Sequence, residues 1–328
     1  MEQRSTSRLN RNLSVIGLGT WQLGADWGEV KDDDASAVLN AARSAGVTFF
    51  DTADVYGDGR SESFIGNYMK KHGSENLTVA TKMGRRADPH VPAAFTLENF
   101  RSWTDRSRKN LGVDTLDLVQ LHCPPTPVFS TDAVFDSLDV LVDEGRIAKY
   151  GVSVETCAEA LTAIARPNVA SVQIILNIFR RKPLEKVLPA AQEAGVAIIA
   201  RVPLASGLLS GKYDEHTRFA TNDHRNFNRQ GAAFDVGETF SGVPYEVGLA
   251  AAQEVAGLTP EGLSTAQFAL RWVIDQPGVT SVIPGARNSE QAQANAKAAA
   301  AEPLTSSQTA DLKAIYDHHV RAHVHERW

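Results

Sequence analysis

Eight short apolar runs separated by amphipathic stretches constrain this chain more than any other feature. The runs Val15–Gly19, Val47–Asp51, Leu77–Lys82, Leu116–His122, Ala148–Ser153, Val172–Asn177, Ala197–Val202 and Ser281–Pro284 read as strands. They are nearly continuous in apolar character, as parallel strands covered on both faces should be. Helical patterns lie between them: Asp32–Ser44, Ser61–Lys71, Thr96–Leu111, Thr131–Glu144, Leu184–Ala194, Tyr245–Ala256, Thr265–Asp275 and Ser289–Ala300. Three aspartates open the first, where the helix dipole favours negative charge. Ser264 with Gln267, and Asn288 with Gln291, have capping-box spacing. Such alternation admits a closed (β/α)8 barrel or an open doubly wound sheet. An open sheet would more naturally carry G-x-G-x-x-G, but after Gly17-Leu18-Gly19 the next glycine is Gly24, two positions too far. Polar residues gather at the strands' C-terminal ends, where a barrel builds its site. The expected fold is therefore α/β, a (β/α)8 TIM barrel forming one domain over residues 1–328. Its core runs from about 14 to 300, with a C-terminal extension at 304–328.

One segment breaks the rhythm. Residues 210–244 are polar, rich in Gly, Asn and Arg, and separate the seventh strand from its helix. A connection of this length leaving the C-terminal end of a barrel reads as a lid or binding loop. Its Arg218, Arg225 and Arg229 could close over phosphates, recruit an anionic substrate or simply be solvated. The tail carries His318, His319, His323 and His325, which read as a solvated helix end rather than a metal site. Formal net charge is −6, arguing against a nucleic-acid or anionic-membrane partner. The two cysteines, Cys123 and Cys157, fit a reduced compartment. Residues 1–14 lack a signal-peptide core, and no apolar run approaches a membrane span, so the cytoplasm is the expected location.

Asp51, Tyr56, Lys82 and His122 stand at or just after the ends of three successive strands. Together they supply an acid, a phenol, an amine and an imidazole. A phenol of pKa about 10 is a weak acid near neutrality. Lys82 can lower that value, Asp51 can keep Lys82 charged and oriented, and His122 can hydrogen-bond a carbonyl oxygen. Each alone could be structural, but four complementary roles on successive strand ends point to proton transfer.

The segments IGLGTWQLG, FDTADVYGDGRSESFIG, ATKMG, LDLVQLHCP, YGVS, SVQIILN, PLASGLLSGKY and VIPGARNSEQAQAN resemble the aldo-keto reductases, in that superfamily's order. The resemblance implies a TIM barrel that reduces an aldehyde or ketone with NADPH. Tyr56 would be the general acid/base, supported by Asp51, Lys82 and His122. It implies that Ser153 and Gln173 hold the nicotinamide carboxamide, with Asp51 nearby. Thr20 and Trp21 would border the ring and substrate. Leu204, Ser206, Gly207, Leu208, Ser210 and Lys212 would wrap the pyrophosphate. Gly285, Arg287, Gln291 and Asn295 would hold the adenosine end. Physical reasoning reaches the last group separately: a capped helix N-terminus with an arginine suits a phosphate.

Two positions depart from the family pattern. Val154 stands where many members have Asn. Arg201 stands where many place an aromatic residue against the nicotinamide. Its planar guanidinium could replace that ring or reach an acidic group of a substrate. Trp21, Trp27, Tyr56 and Phe240 are candidates for the pocket wall. The alternative to a reductase is a cofactor-binding redox sensor or regulator on the same scaffold, as in the similar potassium-channel β subunits. A metal-dependent hydrolase or lyase lacks a ligand cluster, and Lys82 would repel a cation. The partner expected is therefore a small carbonyl compound. Its identity and the oligomeric state are left open.

Overall fold

The computed structural model describes residues 1–24 and 31–328. Its framework is a run of eight parallel strands: β1 (Leu18–Gly19), β2 (Phe49–Asp51), β3 (Thr78–Met83), β4 (Leu118–His122), β5 (Tyr150–Ser153), β6 (Val169–Ile175), β7 (Ala197–Arg201) and β8 (Val279–Val282). Parallel bridges Ile16–Val282 and Gly19–Gly285 join the first strand to the last and close the barrel. The expected (β/α)8 fold is the observed one.

Side chains on a strand alternate between faces, and here every second residue points inward. The lower interior is apolar: Phe49, Ala80, Leu118, Ala197 and Ile199 pack in one buried cluster. Two residues further along the same strands stand Asp51, Lys82, Gln120 and Arg201, all buried. Sequence parity thus places an oily floor beneath a polar layer at the C-terminal mouth.

The floor has a plug that the sequence reading did not anticipate. Gln3–Arg4 and Leu13–Ser14 pair antiparallel. Between them Leu9 enters the lower cluster with Leu13, both wholly buried. Arg4 donates to the carbonyls of Ile274 and Val279 at 3.0 and 2.7 Å, and Arg8 to that of Arg166 at 2.6 Å. These guanidinium groups satisfy backbone oxygens at or just beyond the ends of the helices Thr265–Ile274 and Cys157–Ile164 and at the start of β8.

The outer helices largely match expectation: α1 (Asp32–Ser44), α2 (Arg60–His72), α3 (Leu97–Leu111), α4 (Asp132–Asp143), α5 (Cys157–Ile164), α6 (Pro183–Ala194), α7 (Tyr245–Gly257), α8 (Thr265–Ile274), α9 (Ser289–Lys297) and α10 (Ser306–Ile315). The helix α5 was missed, although Thr156 and Glu159 form a reciprocal capping box ahead of it. Ser264 and Gln267 form the expected box on α8. Asn288 caps α9, but Gln291 turns back to accept from the Arg287 N–H at 2.9 Å, so that box is not reciprocal.

The C-terminal tail is solvated only in part: His318 and His323 are exposed and His319 is half-buried, but the last residues pack inward. His325 is buried and bonds Tyr316 at 2.8 Å, while Trp328 is buried and donates to Asp235 at 3.1 Å. Arg180 stacks 3.7 Å above the Trp328 ring. The tail therefore clamps the long loop, because the indole offers both an apolar face and a single N–H donor. Replacing Leu9 with Ala is expected to lower unfolding free energy by about 2–5 kcal/mol in urea titration. A loss below about 0.5 kcal/mol would mean that the N-terminal arm does not plug the barrel.

Candidate active site

Lys82 is almost wholly buried, and its ammonium needs more than one partner to be held there. Its Nζ donates to Asp51 Oδ1 at 2.5 Å, to the Thr52 carbonyl at 2.9 Å and to Tyr56 Oη at 3.4 Å. Asp51 receives two further bonds on Oδ2, from Gln173 Nε2 at 2.7 Å and Gln120 Nε2 at 3.3 Å. Neither glutamine had been assigned to this carboxylate by sequence reasoning. Behind it, Thr20 Oγ1 donates to the Asp51 carbonyl at 2.9 Å, and Ser61 donates to Thr20 at 2.8 Å. Thr20 is entirely buried and braces Asp51 from behind.

The rings of Tyr56 and His122 meet edge-on, centroids 6.0 Å apart. Burial pushes the Tyr56 pKa up, and Lys82 only partly opposes this. Lys82 acts in the expected direction, but burial outweighs it. Lys82 engages Asp51 more closely than Tyr56, and the carboxylate cancels much of the ammonium's field. Tyr56 is held as a neutral phenol with its proton in place. Burial, reinforced by Arg85, Lys82 and Arg201, drives His122 well below the usual imidazole range, so it is neutral as well. Its Nδ1 is buried without a hydrogen-bond partner among the described residues. Register pairs His122 with Ser153 and Ser153 with Gln173, which sets these three side by side.

A second charged group fills the mouth. Arg201 donates to the Val154 carbonyl at 3.1 Å and Glu155 Oε2 at 2.9 Å, and Glu238 Oε2 lies 3.8 Å away. The acidic groups it reaches are thus the protein's own. Glu238 also pairs with Arg85 at 3.0 Å, carrying the loop from beside β7 to the segment after β3, across the barrel mouth. Burial lifts Glu155 to about 7 despite Arg201. Burial acts the same way on Glu238, but Arg85 and Arg201 outweigh it and hold that residue down to about 2. Cys123, Glu155 and Glu238 bring ligand-type atoms within 4.8 Å of one another. Guanidinium groups already neutralise those carboxylates, and burial pushes the thiol up, which disfavours metal ligation.

The pocket wall differs in part from expectation. Trp21 packs on His224 at 4.9 Å, Phe234 at 6.4 Å and Tyr56 at 6.4 Å. Phe240 instead lies buried beneath the loop against Tyr245 at 5.2 Å. Trp27 lies outside the described residues. Of the loop arginines, Arg225 is held by Asp223 and Tyr213, Arg229 donates to the Arg225 carbonyl, and Arg218 bonds local carbonyls. Arg85, Glu155, His224, Phe234 and Glu238 were missed. Only Arg85 and Glu155 carried a signal, as charged residues just past strand ends.

The remaining expected cofactor residues lie on two segments. Val202, Ala205, Ser206 and Gly207 all have positive φ, giving a tightly curled backbone after β7. The Ser206 hydroxyl donates to the Glu238 carbonyl at 3.1 Å, and Ser210 donates to that of Gly207 at 2.6 Å. Leu208 is buried and Leu204 half-buried, while Lys212 is exposed. The two serine side chains here are thus committed internally, and the N–H groups of Gly207 and Leu209 turn back to the Leu204 carbonyl. At the second segment Asn295 donates to the Gly285 carbonyl at 3.1 Å. Burial and then the neighbouring Arg225 hold Arg287 below its usual range, as two close guanidinium groups should.

This is a (β/α)8 barrel equipped at its C-terminal mouth with a neutral phenol, a buried ammonium–carboxylate pair and a neutral imidazole. The chain belongs to the aldo/keto reductase family, whose model matches residues 15–317. It is 30% identical over 303 residues to Aldo-keto reductase YhdN of Bacillus subtilis, covering 90% of this chain and 87% of that one. It is 28% identical to a probable voltage-gated potassium channel subunit beta of Arabidopsis thaliana, covering 93% of each. Among solved structures, the glycerol dehydrogenase AKR11B4 from Gluconobacter oxydans superposes with a TM-score of 0.78 at 28% identity, covering 99% of this chain and 97% of that one. Among the described residues no helix is long and apolar enough to cross a membrane.

His224 gives a pH test of the loop's packing. Burial, opposed by Asp223, holds it down to about 4. A depressed folded value means its contribution is complete above the unfolded value near 6.5 and is lost as pH falls toward 4. His224→Gln should flatten the decline of unfolding free energy between pH 6.5 and 4 by about 1.4 kcal/mol per pH unit. Parallel profiles for both proteins would contradict a buried neutral imidazole.

Proposed function

We propose that this chain, acting as one barrel domain over residues 1–328, is an NADPH-dependent reductase of aldehydes or ketones, able also to oxidise the alcohol. The contact set Asp51–Lys82–Tyr56, with neutral His122 beside it, is the observation that carries this reading. When bound, a reduced nicotinamide would supply the hydride. The residues present suit such a group. Ser153 and the carbonyl of Gln173 can meet a carboxamide, since the Gln173 N–H is already given to Asp51. The backbone curled at Ser206 and Gly207 can approach phosphate closely. Arg287, at the start of the capped helix α9, can make a bidentate contact with a phosphate, which supports a cofactor carrying the extra phosphate.

The chain's own residues then divide the work. His122 offers an N–H to the carbonyl oxygen and fixes its direction. Tyr56 gives that oxygen its proton as negative charge develops. The Lys82 ammonium stabilises the phenolate left behind, and Asp51 keeps the ammonium charged and aimed. In the reverse direction Tyr56 takes the alcohol proton. The aromatic wall of Trp21 and Phe234 excludes water from one side.

Tyr56→Phe should reduce turnover of an aldehyde by about 10²–10⁴-fold while NADPH affinity, followed by nicotinamide fluorescence, stays within about threefold. Undiminished turnover with tight NADPH binding would remove Tyr56 from the mechanism. Arg287→Ala should cost NADPH, not NADH, about tenfold or more in affinity, the scale of one charge-assisted contact. Equal losses for both cofactors would place Arg287 away from the distinguishing phosphate. Retained cofactor with negligible turnover across many carbonyls would instead favour the regulatory reading.

A further inference from the structure

Four charged residues at the mouth take no part in the proton transfer described above: Arg85, Glu155, Arg201 and Glu238. Their two arginines are held very differently. Arg201 is closed in, with 10% of its side chain exposed and contacts to Val154, Glu155 and Glu238. Arg85 is more open, with 25% of its side chain exposed, and it gives Nη1 to a single carboxylate oxygen, Glu238 Oε1 at 3.0 Å. Its guanidinium lies 5.7 Å above Phe234, which meets Trp21 edge-on at 6.4 Å, and Trp21 stacks on Tyr56. A chain of contacts therefore runs from Arg85 to the proton donor. Arg85 also acts on His122 more strongly than any other charge.

Glu238 stands between two cations, 3.0 Å from Arg85 and 3.8 Å from Arg201. Stripping a buried carboxylate of its only partner is costly. A carboxylate with a second guanidinium beside it can leave the first without that cost. Its seat on Arg85 also demonstrates that this position accepts a carboxylate, for which the guanidinium fork is suited.

The geometry points to Arg85 as a specificity-determining residue for carbonyl substrates that also bear a carboxylate, with Glu238 as the resident counter-ion that yields Arg85 and turns to Arg201. This rests on the reductase reading. The substrate's carbonyl lies between Tyr56 and His122, and its anionic end lies along the Trp21–Phe234 wall on Arg85.

The test compares 4-carboxybenzaldehyde with its uncharged methyl ester, using NADPH and either the unaltered protein or Arg85→Gln. The unaltered protein should have the higher kcat/KM for the acid, and Arg85→Gln should lower the acid-to-ester ratio by about tenfold or more. A ratio at or below one in the unaltered protein, or a ratio unmoved by the substitution, overturns the assignment. A second readout does not depend on turnover. Calorimetric binding of 4-carboxybenzaldehyde to the NADP⁺-loaded protein should weaken by a similar factor in Arg85→Gln, and equal affinities overturn the assignment. Binding that depends on Arg85 without reduction of any carbonyl would sink the reductase reading and leave the anion site standing.

Discussion

The buried ion pair of Lys82 and Asp51 is the interaction on which the mouth of this barrel depends. An ammonium and a carboxylate taken from water lose hydration that their mutual attraction restores only with additional hydrogen bonds. The structure supplies these from several directions. Thr52 accepts from Lys82, while Gln120 and Gln173 donate to Asp51. Four barrel strands are thereby tied to one charge pair. Geometry follows from that satisfaction: the ammonium has a third direction left for Tyr56, and the carboxylate has little freedom to turn. A proton-transfer site needs such fixed dipoles, because reorganisation during reaction would consume what the site provides.

The same pair explains why Tyr56 is not acidified. A lone buried ammonium would pull the phenol's pKa down, but a paired one presents nearly a dipole. Burial then dominates for Tyr56 and for His122, and both are neutral. The proposed reduction starts from this state, with the proton on the phenol and a donor N–H on the imidazole. The charge network of Arg85, Glu155, Arg201 and Glu238 lies beside these groups, and the field of Arg85 and Arg201 helps to keep His122 neutral. Through Glu238 it couples the site to the long loop, and through Asp235 and Trp328 the loop is coupled to the tail.

Much of this was legible in the chain. Phe49 and Asp51, Ala80 and Lys82, and Leu118, Gln120 and His122 follow the two-residue period of a strand, so apolar floor and polar rim can be read directly. The continuous apolar character of the runs indicates a parallel sheet, and DTADVYG with its downstream Lys and His carried the family. Less legible were elements whose stability comes from distant partners. The arm around Leu9 looks merely polar until the barrel floor it fills is known. Phe240 and Phe234 are both loop aromatics, and only the fold decides which is buried beneath the loop and which faces Trp21. Arg201 seemed available to a ligand because its counter-ions Glu155 and Glu238 lie far from it in the chain, the second in a loop without periodicity.

Sequence alone therefore determined the barrel, the polar layer at its mouth and the grouping of Asp51, Tyr56, Lys82 and His122 there, because strand periodicity and local chemistry are written in consecutive residues. Tertiary structure decided the protonation of Tyr56, the internal engagement of Thr20 and Arg201, and the path of the loop across the mouth. Those outcomes depend on burial and on which charges meet across the barrel. Both are set only when segments far apart in the chain are packed against one another.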